Sequence, residues 1–116
     1  MHDFERLEAW QLAHQLGIDA YQITQSFPSY ERYGLANQIR RSAVSVSANI
    51  AEGAGIGGRS FVHHLKIAAG SCSELQAETY LARDLGYVSR DSASTMATAT
   101  SRVRRVIYGL IHKLSE

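Results

Sequence analysis

A run of glycines in the middle of the chain has the spacing of a phosphate-binding loop. Residues 53–58 read Gly-Ala-Gly-Ile-Gly-Gly and fit the G-x-G-x-x-G pattern of dinucleotide-binding proteins. Such loops work because exposed backbone N–H groups and the N-terminus of the next helix attract phosphate oxygens. A dinucleotide site also needs a preceding strand, and residues 43–50 alternate apolar and polar side chains as a strand does.

A turn between two antiparallel helices is the second interpretation of the glycine run, and it is the one we favour. A parallel sheet needs several strands, and the 116 residues contain no second convincing one. Arg59 stands where a P-loop has its phosphate-binding lysine. In this interpretation a helix begins near Ser60, and the Gly53–Ser60 turn has the backbone groups to hold one phosphate.

The histidines, carboxylates and single cysteine match no metal site or catalytic site. The chain contains no Glu-x-x-His pair, which di-metal four-helix bundles place on facing helices. His63 and His64 are adjacent, and adjacent helical side chains point about 100° apart, so they do not share a face. Cys72 has no recognisable base and is expected to be a buried packing residue. We therefore predict no enzyme activity, no metal and no cofactor.

Basic residues concentrate near the end of the chain. Residues 92–115 contain no acidic side chain, and ten of the twelve basic residues in the protein are arginine. Arginine makes bidentate hydrogen bonds with phosphate, so this segment, with one arginine of the second helix, is a candidate phosphate-binding face. Pairing with carboxylates of neighbouring helices is the alternative. The candidate nucleic-acid-binding residues are Arg40, Arg102, Arg104, Arg105 and Lys113.

Polar residues on or beside the apolar stripe of the second helix form another candidate group. Buried polar groups need hydrogen-bond partners, so we expect a network with the third helix or with a neighbouring subunit. The role of such a network would be structure or assembly. Its predicted members are Gln38, Arg41, Asn49, Glu52, Ser71 and Glu74.

Four amphipathic helices must position these residues. Apolar side chains recur at intervals of three and four residues in four segments, at about 5–25, 30–53, 60–85 and 91–114. Pro28 and Gly86 end two of the segments, and Asp91 or Ser92 would cap the last one. Short connections predict an all-α fold, an antiparallel up-down-up-down four-helix bundle. Small residues around Gly70 predict a close helix crossing there.

Length and composition place these helices in one domain, residues 1–116. The mass is 12.8 kDa and the formal net charge is +1, so a nucleic-acid site must be a local patch. A single cysteine excludes an internal disulfide. No leader-like start and no membrane-spanning run is visible, so we expect a cytoplasmic protein with no membrane partner.

Several blocks of residues resemble a known bacterial family. These blocks are Leu-Glu-Ala-Trp at 7–10, Gln-Ile-Arg-Arg-Ser-Ala-Val-Ser at 38–45, Asn-Ile-Ala-Glu-Gly at 49–53 and Leu-Gly-Tyr at 85–87. The chain resembles, over residues 7–87, the four-helix-bundle proteins encoded in intervening sequences of large-subunit (23S) ribosomal RNA. That family is related to the accessory proteins of diversity-generating retroelements. The resemblance makes residues 43–50 a helix rather than a strand.

The resemblance implies a ring-shaped homopentamer of four-helix bundles without catalytic activity. Because the retroelement accessory proteins are basic pentamers that bind nucleic acid and a reverse transcriptase, it also implies association with RNA or a ribonucleoprotein. One alternative is a protein–protein interaction scaffold that docks through Tyr30, Tyr33 or Tyr87. Another is phosphate or nucleotide binding at the Gly53–Ser60 turn.

Overall fold

Four α-helices make up most of the protein, and residues 3–116, which a computed structural model describes, contain no strand. The helices are α1 (Glu8–Thr24), α2 (Leu35–Ile56), α3 (Gly58–Asp84) and α4 (Arg90–Leu114). Two short 3₁₀ helices cover Phe4–Arg6 and Ser29–Glu31. The all-α prediction is confirmed, and residues 43–50 lie inside α2.

The helices form an antiparallel bundle that is elongated along the helix axes, with extents of 44 × 22 × 19 Å. Each helix packs against the next one in the chain, and α4 also packs against α1, which closes the bundle. The α2–α3 pair has the most extensive contact, whereas α2 and α4 lie diagonally opposite and their backbones do not approach closely. A side chain on the outer surface of α2 is therefore remote from one on the outer surface of α4.

The apolar stripes meet along the bundle axis and form one continuous core. Its largest fully buried side chains include Leu16, Ile39, Ile50, Phe61, Leu65, Leu75 and Ile107. Three threonines are also buried, and each donates its hydroxyl to the carbonyl four residues earlier at 2.7 Å. These bonds satisfy the hydroxyls of Thr24, Thr79 and Thr100, so the core contains no unpaired threonine.

The joint between α2 and α3 is shorter than the sequence predicted. Helix α2 continues to Ile56 and α3 begins at Gly58, so only Gly57 lies between them. Gly57 and Gly58 have φ angles of +82° and +59°, a region that other residues rarely adopt. The predicted helix end at Gly53 and helix start at Ser60 are wrong, because tertiary packing of α2 on α3 outweighs the low helix propensity of glycine.

The two helices approach closely at Gly53. A Cβ atom there would lie 2.8 Å from the Cβ of His64 and 3.0 Å from Cδ1 of Phe61. Gly70, by contrast, is exposed, and a Cβ atom there would meet nothing within 4 Å. Gly70 itself therefore faces away from the neighbouring helices, whereas its small neighbours Ala69 and Ser71 are buried.

Local hydrogen bonds explain where the other helices begin and end. Helix α2 begins at Leu35 rather than near residue 30, because residues 29–31 form a 3₁₀ turn and Oε1 of Glu31 accepts the Leu35 N–H at 3.0 Å. The first helix begins at Glu8 because Leu7 is extended. Ser89, rather than Asp91 or Ser92, caps α4 by accepting the Ser92 N–H at 3.0 Å.

Gly86 ends α3, as predicted. It has a φ angle of +80°. The Tyr87 N–H donates to the Ala82 carbonyl at 2.9 Å, and the Gly86 N–H donates to the Arg83 carbonyl at 3.0 Å. This pair of bonds is a Schellman motif, which reverses the chain toward α4.

Candidate nucleic-acid interface

A groove of about 460 Å³ lies between α3 and α4. Its α4 wall consists of residues three or four positions apart, which places them on one side of the helix: Arg90, Ser94, Ala97, Thr98, Ser101 and Arg105. Its α3 wall consists of Gln76, Tyr80 and Arg83. The groove therefore combines three guanidinium groups, several hydroxyls and one aromatic ring, and no carboxylate lines it.

The arginines of this groove differ in their partners. The Arg83 Nε donates to Oδ1 of Asp84 at 2.9 Å, and its guanidinium lies 4.7 Å from the centre of the Tyr80 ring. The hydrogen bond from Arg83 holds the pKa of the Asp84 carboxyl below its usual range, and the charge of Arg90 adds to this effect. Neither Arg90 nor Arg105 has an ion pair among residues 3–116, so both keep their hydrogen-bonding capacity for a ligand.

Gln76 organises the floor of the groove. Its Oε1 accepts from Nη1 of Arg104 at 2.9 Å, and its Nε2 donates to Oγ of Ser101 at 3.3 Å. The same Nε2 lies 3.2 Å from the Tyr80 hydroxyl. Arg104 is consequently half-buried and held between α3 and α4. Its role in the groove is to position Gln76.

The structure brings together only some of the predicted nucleic-acid-binding residues. Arg104 and Arg105 lie at the α3–α4 groove. Arg102 is exposed on another side of α4, and Lys113 is exposed in its last turn. Arg40 is on the α1 side of α2, where its Nε donates to Oγ1 of Thr24 at 2.8 Å. Since α2 and α4 lie diagonally opposite in the bundle, Arg40 does not belong to the same surface.

The candidate residues predicted from the sequence leave out Arg83 and Arg90, which line the basic groove. Arg90 falls before the acid-free segment, and Arg83 is followed directly by Asp84, which masks it in a charge profile. The spacing of Arg90, Ser94, Ser101 and Arg105 contains the signal for the α4 wall. The contribution of Arg83 depends on tertiary packing, which no local pattern reveals.

A chain of hydrogen bonds joins α2 to α3 on another side of the bundle. The hydroxyls of Ser45 and Ser71 are 2.9 Å apart, and Nδ2 of Asn49 donates to the Ser45 carbonyl at 2.8 Å. Nδ1 of His64 lies 2.9 Å from Oδ1 of Asn49, which makes this ring nitrogen the donor. Glu52 is at the edge of this chain, with its Oε2 3.6 Å from the same His64 nitrogen.

The predicted polar network is thus only partly assembled within one subunit. Asn49 and Ser71 belong to it, Glu52 borders it, and Ser45 and His64 are members that the sequence did not identify. Gln38, Arg41 and Glu74 are exposed. A role for these residues in assembly stays a prediction.

The glycine run does not form an open loop. Gly53 and Gly55 lie within α2, and the Gly57 N–H donates to the Gly53 carbonyl at 2.8 Å. The backbone N–H groups that a dinucleotide loop would expose are therefore largely used inside a helix. The side chain of Ser60, the predicted cap of α3, makes no capping bond, since Gly57 occupies that position.

The remaining titratable groups of the described residues do not assemble into a metal site. Among residues 3–116 no cluster of three or more His, Cys, Asp or Glu side chains is placed to hold a metal ion. Burial raises the pKa of the Cys72 thiol to about 11, so it is protonated at neutral pH. Burial also raises the pKa of Glu78, partly offset by a hydrogen bond with Ser42.

None of the helices described above combines the length and the hydropathy that crossing a lipid bilayer requires.

The fold and the site together define a small antiparallel four-helix-bundle protein with a cationic groove between its last two helices. Comparison with protein families gives the same class: the model of the 23S rRNA-intervening sequence protein family matches residues 5–109. The chain belongs to this family.

A solved structure has the same fold. It is the 1.70 Å crystal structure of a protein of unknown function from the S23 ribosomal protein family of Bacteroides thetaiotaomicron VPI-5482. The two chains superpose with a TM-score of 0.83 at 18% identity, over 90% of this chain and 95% of that one. A comparison with curated proteins finds no match. The family and its structural neighbour are uncharacterised, and nothing in the comparisons indicates catalysis.

Proposed function

We propose that this protein is a non-enzymatic, cytoplasmic RNA-binding protein that associates with RNA or a ribonucleoprotein as a homopentameric ring. The observation that carries the proposal is the α3–α4 groove, in which Arg90 and Arg105 form no direct ion pair with a carboxylate of residues 3–116. The description of the family, which refers to an intervening sequence of 23S ribosomal RNA, supports an RNA context.

The chemistry of the groove suits a flexible phosphate backbone. Guanidinium groups bind phosphate oxygens in pairs, and serine and threonine hydroxyls supply further neutral donors. Tyr80 gives the groove an aromatic face for a base, although Arg83 already occupies one side of this ring. Because unpaired bases can stack on an aromatic ring while cations contact the backbone, this combination favours single-stranded RNA over a regular duplex.

Exposed apolar side chains on α2 and α3 support the proposal of a ring. Val44 is 45% exposed, and Ile67, one helical turn before Ser71, is 39% exposed. Next to the half-buried Ser45–Asn49–His64 chain, these side chains offer a neighbouring subunit a mixed apolar and polar surface. A ring would present five copies of the groove, so that modest individual affinity adds up to tight binding.

RNA binding at two salt concentrations tests the proposal. We expect a labelled single-stranded RNA to bind at 50 mM salt and to lose much of its affinity at 200 mM, because phosphate contacts release counterions. Combined Arg90→Ala and Arg105→Ala substitutions should weaken binding at least about tenfold. Arg6→Ala, an exposed arginine of the first 3₁₀ helix, is the matched control and should bind like the wild type. Absent binding, or binding that ignores both salt and these arginines, would contradict the proposal.

A protein partner is the second candidate, and the aromatic side chains at the α1–α2 connection favour it. Tyr33 and Tyr30 are 87% and 75% exposed, and the Tyr30 hydroxyl lies 3.3 Å from that of Tyr87. Exposed tyrosines are common anchors in protein interfaces. A partner that stays bound after nuclease treatment and is lost in Tyr33→Ala would select this function over RNA binding.

Nucleotide binding at the Gly53–Ser60 turn is the third candidate. The first N–H groups of α3 are what supports it, while most of the glycine run is helical. A thermal shift caused by a nucleotide and abolished by Arg59→Ala would favour it.

A further inference from the structure

A small polar pocket lies where α1 ends and α2 begins, away from the α3–α4 groove. Its volume is about 320 Å³, at the lower end of the range for ligand-binding pockets. Two cations line it, Arg32 and Arg40, together with polar groups that include Ser29 and Thr24. Among the residues that the structure describes, no aspartate or glutamate lines it.

Thr24 fixes the orientation of the Arg40 guanidinium. The Thr24 side chain is buried, and its hydroxyl donates to the Ala20 carbonyl at 2.7 Å. The hydroxyl oxygen therefore presents a lone pair, and it accepts from Nε of Arg40 at 2.8 Å. Because this contact uses the Nε–H, the terminal Nη atoms remain for other partners.

Tyr21 holds the plane of the same guanidinium. The Arg40 Cζ atom lies 4.7 Å from the centre of the Tyr21 ring. An arginine held both by a hydrogen bond and by an aromatic ring loses little rotamer entropy when it binds an anion. Pre-organisation of this kind is typical of guanidinium groups that bind oxyanions.

Arg32 and Arg40 have no carboxylate partner among residues 3–116. The nearest acidic residue in the sequence, Glu31, is already engaged: its Oε1 accepts the Leu35 N–H, and its Oε2 accepts the Tyr87 hydroxyl at 2.8 Å. The pocket consequently has two positive charges without a carboxylate partner in the described part of the chain, and the Nη atoms of one of them, Arg40, make no other hydrogen bond there.

We propose that this pocket binds a phosphate monoester, either a free nucleotide or the terminal phosphate of an RNA. The dianion of a monoester matches the two cations, and the terminal N–H groups of Arg40 match two of its oxygens. A pocket of this size has room for the phosphoryl group and the atoms attached to it. The proposal does not depend on RNA binding in the α3–α4 groove.

Calorimetric titration with inorganic phosphate and with adenosine 5′-monophosphate tests the site. We expect saturable binding of both, at one site per chain. Arg32→Ala and Arg40→Gln should each weaken binding at least about tenfold, since each removes a charge-assisted contact. Arg41→Ala, an exposed neighbour on α2 that does not line the pocket, is the control and should keep wild-type affinity.

Arg32 is exposed, so its removal leaves the bundle intact even if Arg40→Gln disturbs the fold. Two outcomes overturn the proposal: no saturable binding of either probe, or affinities in Arg32→Ala equal to those in Arg41→Ala. Comparison of 5′-phosphorylated with 5′-hydroxyl RNA then identifies the source of the phosphate. A preference for the phosphorylated RNA that disappears in Arg32→Ala assigns the site to RNA ends, and nucleotide binding without this preference assigns it to free nucleotides.

Discussion

Glu31 connects two loops at one end of the bundle. One carboxylate oxygen accepts the first N–H of α2, and the other accepts the hydroxyl of Tyr87 in the α3–α4 connection. The hydrogen bond from the Leu35 N–H lowers the pKa of this carboxyl below its ordinary value of 4.5, and the hydrogen bond from the Tyr87 hydroxyl adds a smaller effect in the same direction. Hydrogen bonds to Tyr30 and Glu31 raise the pKa of the Tyr87 hydroxyl.

The first prediction concerns the acid stability of this link. The pKa of Glu31 is lower in the folded protein than in the unfolded chain. The ionised carboxylate therefore contributes fully to the free energy of unfolding above pH 4.5, and this contribution disappears as the pH falls through the pKa of the folded protein. We expect Glu31→Gln to lower the melting temperature at pH 7 and to approach the wild type in acid. Melting curves from pH 7 to 2 check this, and a difference that does not depend on pH would contradict it.

The second prediction concerns Asn49, which bonds to both Ser45 and His64. Asn49→Ala removes the acceptor of the His64 N–H within a half-buried interface. The expected cost is about 1–3 kcal/mol of unfolding free energy, measured by urea denaturation. Gln22→Ala is the control, because Gln22 is exposed on α1, lies outside the predicted network, and its loss should have little effect. Equal stability of the two variants would show that the hydrogen-bond chain does not stabilise the fold.

The packing of α2 on α3 predicts opposite effects for two glycine substitutions. Gly53→Ala forces a methyl group against His64 and Phe61 and should destabilise the protein by about 1–3 kcal/mol. Gly70→Ala adds a methyl group in open space on an exposed helix and should stabilise it by about 0.5–1 kcal/mol. The melting temperatures of both variants test this prediction. If Gly53→Ala were the more stable of the two, the close approach of α2 and α3 would not be at Gly53.

The sequence predicts the helices better than their ends. The periodic apolar stripes identify all four helices because each one must bury a face in the core. The ends depend on particular contacts: the Glu31 carboxylate sets the start of α2, and close packing at Gly53 extends α2 through the glycine run. Gly86 was predictable because a left-handed helix stop is a local property.

The candidate site was less predictable than the fold, for a physical reason. A charge-rich segment indicates which helix is basic, but the members of a groove depend on which faces meet. Arg105 and Arg83 come together only because α3 and α4 are neighbours, and Arg40 is separated from them because α2 and α4 are diagonal.

The proposed ring predicts a mass near five subunits by light scattering. Val44→Glu combined with Ile67→Glu places charges on exposed apolar positions of α2 and α3 and should yield monomers that keep full helicity. Arg102→Glu, a charge change on the exposed surface of α4, is the control and should keep the mass of the wild type. A monomeric wild type, or an unchanged mass in the double variant, would contradict assembly through this surface.

The single residue between α2 and α3 also determines whether the chain folds back on itself. Alanine at both Gly57 and Gly58 makes their positive φ angles costly, by about 1–3 kcal/mol for each residue. We expect the conformation of lower free energy to be one continuous helix from Leu35 to Asp84, with α1 and α4 at its opposite ends. Each half would have to find its complement on a second molecule, so we expect domain-swapped dimers, visible as a change of mass at unchanged helical content.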